Sequence, residues 1–150
     1  MKTRFFSVII ISLICIFSIK TYGQAADIVG IWKTIDENTG EAKSHIQIFK
    51  ATNGMYYGKI VKLLKAKPDA VCKNCKGDLK NKPLMGLIII KEMTEDDGEL
   101  EDGEILDPES GTYYYCSIWL DENNKDILHV KGSLDSWGVA GRSQTWQRVK

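Results

Sequence analysis

Cys72 and Cys75, in "CKNC", carry the most specific chemical spacing in the chain. Two thiols so placed can close a small disulfide, supply half of a metal site, or act as a redox pair when one thiol has a lowered pKa, a direction that Lys73 and Lys76 favour. The stretch is not a strand-to-helix turn of the thioredoxin type. A structural zinc wants four ligands, and only His45 and His129 are available to join the two sulfurs. His45 shares its face with Lys43 and Gln47, and His129 with Lys131, so both are expected to face outward. A Cys72–Cys75 disulfide is the expectation carried forward, with metal and redox readings as alternatives; no metal or cofactor is assigned. Cys116, in "TYYYCSIWL", falls on one face with Tyr114, Ile118 and Leu120 and is expected to be a buried, inert thiol.

Nucleophilic catalysis needs a base beside the nucleophile, and two outward histidines fill that role badly. The chain has no Gly-x-Ser-x-Gly, His-Glu-x-x-His or phosphate-cradling glycine pattern, and its acidic segment fails the calcium-loop template. No catalytic residue is assigned. In "DPESGTYYYC" the aspartate, proline and glycine are turn chemistry, with Asp107 capping the turn and Gly111 supplying a positive φ. Tyr113 and Tyr115 then take one face and Tyr114 the other. The binding reading is that Asp107 and Tyr114 line the mouth of a cavity with Arg142 and Trp137, while Trp32, Tyr57, Trp137 and Trp146 form walls. Trp137 stands in the glycine-bearing "SLDSWGVAG", where an aromatic must either plug a barrel or meet something.

The elements that would hold these residues are strands. Segments 28–34, 44–49, 55–64, 84–93, 103–107, 112–120, 126–132 and 142–149 alternate or are β-branched, and turn signals separate them. Residues 65–83 form a Lys-rich loop in which "CKNC" is a candidate staple. Eight short hairpin-linked strands predict an all-β fold, a small antiparallel up-and-down barrel, because closure removes exposed edges; a β-sandwich is the alternative. Gly30 and Trp32 share a face of the first strand, and Trp146 and Arg148 a face of the last, so closure would lay a guanidinium over an indole. A Gly-x-Trp first strand with a late arginine resembles the lipocalin-like barrels.

Residues 1–23, with a basic start, the apolar run Phe5 to Ile19 and small residues near Gly23, describe a secretory signal peptide; residues 24–150 are then a single β-barrel domain. Cleavage after Ala25 or Ala26 is the alternative, and Cys15 lies within the apolar run. The mature chain is expected to be exported, periplasmic or extracellular, with no membrane span. Across the whole chain 20 basic residues face 20 acidic ones, and losing Lys2, Arg4 and Lys20 leaves a mild negative charge that gives no reason to expect nucleic acid. The charge is segregated between Lys59–Lys82 and Glu92–Glu109, which suggests solvated loops or stretches that dock on each other or on a charged partner.

"GIWKT…TGE", "YYGKIVKL", "VCKNCKGD", "KPLMGLIII", "DGEILDPESGTYY" and "GRSQTWQRV", in that order, resemble the bacterial domain-of-unknown-function family 2147. The resemblance implies a compact, calycin-like β fold outside the cytoplasm and supplies no catalytic residues. Cys116 and the acidic "TEDDGELEDGE" depart from some relatives. The leading functional expectation is a barrel that binds a small, partly apolar molecule. The alternatives are a structural or interaction module of the cell envelope and, third, a thiol-dependent or hydrolytic enzyme.

Overall fold

Alternation of buried and outward side chains produces eight strands: β1 (Gly30–Ile35), β2 (Ala42–Lys50), β3 (Tyr56–Leu63), β4 (Ile88–Asp96), β5 (Glu99–Asp107), β6 (Thr112–Leu120), β7 (Ile127–Ser133) and β8 (Gly141–Arg148). The structure is a computed structural model that describes residues 25–150, and the expected signal peptide over residues 1–23 lies outside the described residues. Along β6, Cys116 and Ile118 are buried next to an exposed Tyr115; along β7, Leu128 and Val130 are buried on either side of His129. Each strand pairs antiparallel with its sequence neighbour, and β1 pairs with β8, so the sheet is a closed up-and-down barrel rather than a sandwich. Among the described residues no helix is long and apolar enough to cross a membrane.

Two expected boundaries move. The strand expected over 84–93 begins at Ile88, because Leu84 bonds through its N–H to the Ala70 carbonyl and Gly86 turns the chain with φ 82°. The acidic stretch after Gly98, expected as loop, is the first half of β5. Asp97 and Gly98 both take positive φ, 48° and 86°, the geometry of a two-residue hairpin, so the strands run up to the turn. Leu100 takes a buried position there, and Asp102 sits at φ 58° where the β5–β6 register shifts.

One end of the barrel is sealed. Arg148 lies opposite Trp32 in the β1–β8 pairing, and its guanidinium carbon sits 4.2 Å from the indole centroid. Arg148 Nη2 donates to the carbonyls of Asp27 at 2.6 Å and Lys125 at 3.2 Å, while Trp32 Nε1 donates to the Ile28 carbonyl at 2.8 Å. Gly30 makes room: at φ 149° it adopts a backbone that side chains rarely take, and a Cβ there would press on Arg148 Nη1 at 3.0 Å. The short 3-10 helix Ala25–Ile28 closes this end with buried Ala25 and Ile28. Because successive strands reverse, the β1–β2, β3–β4, β5–β6 and β7–β8 connections gather at the opposite end.

Arg148 therefore joins both chain ends to one indole. Replacing Arg148 with Ala removes a cation–π contact and two charge-assisted hydrogen bonds, and is expected to lower unfolding stability by about 2–3 kcal/mol in urea titrations. Arg148→Lys recovers less than half, since an ammonium cannot stack on the ring and fork to two carbonyls. A loss below about 0.5 kcal/mol, the ordinary surface value, would contradict the assignment of the seal.

Candidate functional site

β8 runs as an inward ladder from the open end to the seal. Arg142, Gln144 and Trp146 alternate onto the face that Arg148 ends, and the first three line a cavity of about 890 Å³, within the size range of small-molecule pockets. Its walls include Ile60, Ile89, Ile105, Val130, Tyr114 and Trp146. Trp146 is buried, and its Nε1 donates to Gln144 Oε1 at 3.2 Å. Thr34 and Ser44 hydroxyls bond each other at 2.9 Å across β1 and β2. Gly132 faces Arg142 across the β7–β8 pair, and a Cβ there would approach the Tyr114 side chain at 3.3 Å.

The mouth is polar, and most of its charges are already used. Lys43 pairs with Glu109, and Lys65 with Asp36 at 3.4 Å and Glu41 at 3.2 Å. The Asn38 and Thr39 N–H groups, with Lys65, hold the Asp36 carboxyl below its ordinary value. Asp107 is likewise occupied. Its Oδ1 accepts the Glu109 N–H at 3.0 Å, and its Oδ2 accepts the Ser110 N–H at 3.3 Å and hydroxyl at 2.7 Å. Arg142 has no carboxylate partner among the described residues, which leaves it as the cation at the mouth able to meet a ligand.

Asp107, Tyr114, Arg142 and Trp146, four of the seven residues proposed as ligand contacts, thus line one cavity, though the Asp107 carboxylate serves its own turn. Trp32 lies in the seal, beneath Arg148. Tyr57 points outward, because inward Tyr56 and Gly58 flank it; its ring stacks on Phe49 at 6.2 Å and its hydroxyl accepts from Asn53 Nδ2 at 2.9 Å. Trp137 neither plugs nor lines the barrel but is 89% exposed in the β7–β8 connection. Sequence reasoning missed Gln144, Val130 and Ile105. The same alternation that picked out Arg142 and Trp146 marks Gln144. Ile89 was hidden because the β3–β4 register shifts around Gly58.

The Cys72–Cys75 sulfurs are bonded to each other, with Cα atoms 5.4 Å apart. The disulfide is buried and staples the β3–β4 connection against the 107–111 corner. Asn74 Nδ2 donates to the Glu109 carbonyl, Val71 bridges Pro83, and Gly111, at φ 71°, sits where any Cβ would overlap the Asn74 carbonyl. The corner lines the mouth through Asp107, Pro108 and Glu109, and the "CKNC" loop holds it in place through Asn74. The two charged stretches do not dock by ion pairs: none joins Lys59–Lys82 to Glu92–Glu109 among the described residues, and the acidic β4–β5 turn lies at the sealed end. His129 stacks on Trp119 at 5.5 Å and bonds Asp121 Oδ2 at 3.2 Å, and neither histidine lines the cavity. Lost solvation lowers the His45 pKa, with Lys62 and Lys33 adding to it.

A family model described as an uncharacterized protein conserved in bacteria, DUF2147, matches residues 30–148, from Gly30 of the seal to Arg148. The chain belongs to DUF2147. Among solved structures, the protein HP1028 from the human pathogen Helicobacter pylori, described as belonging to the lipocalin family, is similar with a TM-score of 0.70 and 21% identity, over 81% of this chain and 82% of that chain. At that identity the likeness is one of fold, and it gives this DUF2147 member a lipocalin-like barrel. No curated protein matches the chain.

Burial pushes the Cys116 thiol up to about 12. At pH 8 about one thiol in ten thousand is then ionised, so native protein is expected to resist a thiol-specific reagent that labels Cys116 fully after denaturation. Labelling of native protein at the rate of a free thiol would contradict its place inside the wall.

Proposed function

We propose that this barrel binds one small, partly apolar molecule in its open half, with the apolar body against Ile60, Ile89, Ile105, Val130 and Trp146 and a polar or anionic head at Arg142. What carries this reading is a roughly 890 Å³ hollow with apolar walls and, at its mouth, the Arg142 guanidinium, which has no carboxylate partner among the described residues. Arg142 and Trp146 are four residues apart on one strand, about 13 Å along it, which sets the length of the guest. Roughly eight buried methylenes supply on the order of 6 kcal/mol, while a micromolar Kd needs about 8. The head contact at Arg142 supplies the difference and sets the orientation.

The setting is an exported protein, periplasmic or extracellular. The expected signal peptide, the bacterial family and the buried disulfide all support it, since such bonds persist in oxidising compartments. A hollow interior also favours ligand binding over a purely structural envelope module, whose interior would be filled by its own side chains.

Native mass spectrometry of protein recovered from its own export compartment tests the reading. It is expected to show a one-to-one adduct that is lost from Arg142→Ala protein prepared in parallel. The bare chain mass from every preparation, under conditions that keep the barrel folded, would contradict it.

A further inference from the structure

The β7–β8 connection, residues 134–140, holds the three most exposed large apolar side chains of the described residues: Leu134 at 69%, Val139 at 86% and Trp137 at 89%. Scattered exposed hydrophobics are ordinary, but three in one seven-residue loop are not. The loop is also built rather than slack. Asp135 Oδ1 accepts the Val139 N–H at 3.0 Å and Oδ2 the Ala140 N–H at 2.7 Å; the Ser133 hydroxyl donates to the Asp135 carbonyl at 2.5 Å, and the Leu134 N–H to the Ala140 carbonyl at 3.1 Å. The Leu134, Gly138, Val139 and Ala140 N–H groups are thus satisfied within the loop, which projects an apolar crest into solvent.

We propose that this crest is a membrane-docking tip that seats the mouth of the barrel on a lipid surface carrying anionic headgroups. Three side chains at a hairpin tip fall far short of the roughly 800 Å² per partner that a stable protein interface uses, but they match a wedge entering the headgroup region, where tryptophan is favoured. The charges beside it agree. The Lys131 ammonium lies next to Gly138 and has no acidic partner among the described residues, whereas the Asp135 carboxylate is held inside the loop.

Topology supplies the orientation. The Lys-rich β3–β4 connection opens at the same end as the crest, while Glu95, Asp96, Asp97 and Glu99 in the β4–β5 hairpin and Asp121 and Glu122 after β6 lie at the sealed end. The sealed end is thus the acidic one, whereas the lysines of the open end share it with Asp36, Glu37, Glu41, Asp69, Asp78, Asp107 and Glu109. An anionic surface repels the sealed end and presents the mouth to the lipid. Leu134 and Ala140 belong both to the crest and to the cavity lining, so docking sets the entrance against the membrane. The inference concerns the outer surface and stands whether or not the cavity holds a guest.

The test is cosedimentation of the exported protein with vesicles of phosphatidylcholine mixed with phosphatidylglycerol. Wild type is expected to partition onto them, and Trp137→Ser and the pair Leu134→Ser with Val139→Ser each to lower the partition coefficient by about tenfold or more, since each removes apolar area that lipid would cover. Trp137→Phe keeps most of the binding. All these side chains face solvent, so circular dichroism and urea midpoints are expected to stay at wild-type values. Equal partitioning of wild type and Trp137→Ser would overturn the proposal, as would no uptake by vesicles. Trp137-dependent retention of another protein without vesicle uptake would assign the crest to a protein partner instead.

Discussion

The stacked pair of Trp32 and Arg148 is the contact on which the rest of the barrel depends. A closed sheet must bring its first and last strands together after more than a hundred residues of intervening chain, and here those strands share only a short ladder. The guanidinium compensates by meeting four partners at once: the indole of β1, the carbonyl of Asp27 before it, and the carbonyl of Lys125 and the carboxylate of Asp126 in the β6–β7 turn. That arrangement uses the planar fork that lysine lacks. Gly30 follows from the same constraint, since the space a side chain would need there is filled by the arginine.

Sealing one end this way makes the two ends of β8 chemically different. Arg148 and Arg142 lie six residues apart and therefore on the same face, yet one is spent on closure and the other faces the cavity mouth. Between them Trp146 and Gln144 carry the wall from packed core to hollow. Around the mouth, the buried disulfide and the 107–111 corner hold a long connection in place, so the entrance is framed by covalent and turn geometry rather than by a loose lysine-rich loop. Asp107, which reads as a candidate ligand contact, contributes by stiffening this frame.

Much of this architecture was legible in the residues. Period-two alternation located all eight strands, the turn signals separated them, and Gly30, Trp32 and Arg148 announced how the ends meet. Cys72 and Cys75 announced the staple. What stayed hidden depended on register and on where loops go in space. Alternation predicts a face, so it set Tyr114 opposite Tyr113 and Tyr115, and Tyr114 lines the cavity while Tyr113 is covered by packing against the core; aromatic character alone put Tyr57, Trp32 and Trp137 into the site. Each is held elsewhere by a local cause: an outward position in β3, the arginine stack, and a self-satisfied loop. The two charged stretches are close in sequence order, and only the alternation of hairpin ends shows that the acidic turn and the lysine-rich connection face opposite ways.

The account as a whole requires a barrel that is closed at one end, hollow at the other, and charged at the entrance by Arg142. Fluorescence titration of the purified protein with 1-anilinonaphthalene-8-sulfonate, an apolar body with one anionic head, tests this directly, with Trp146 at the cavity wall as energy donor. The prediction is saturable one-to-one binding accompanied by quenching of tryptophan emission, weakened about tenfold in Arg142→Ala, the scale of one charge-assisted hydrogen bond. Binding that does not saturate, or that is unchanged by Arg142→Ala, would contradict the hollow and its gatekeeping cation.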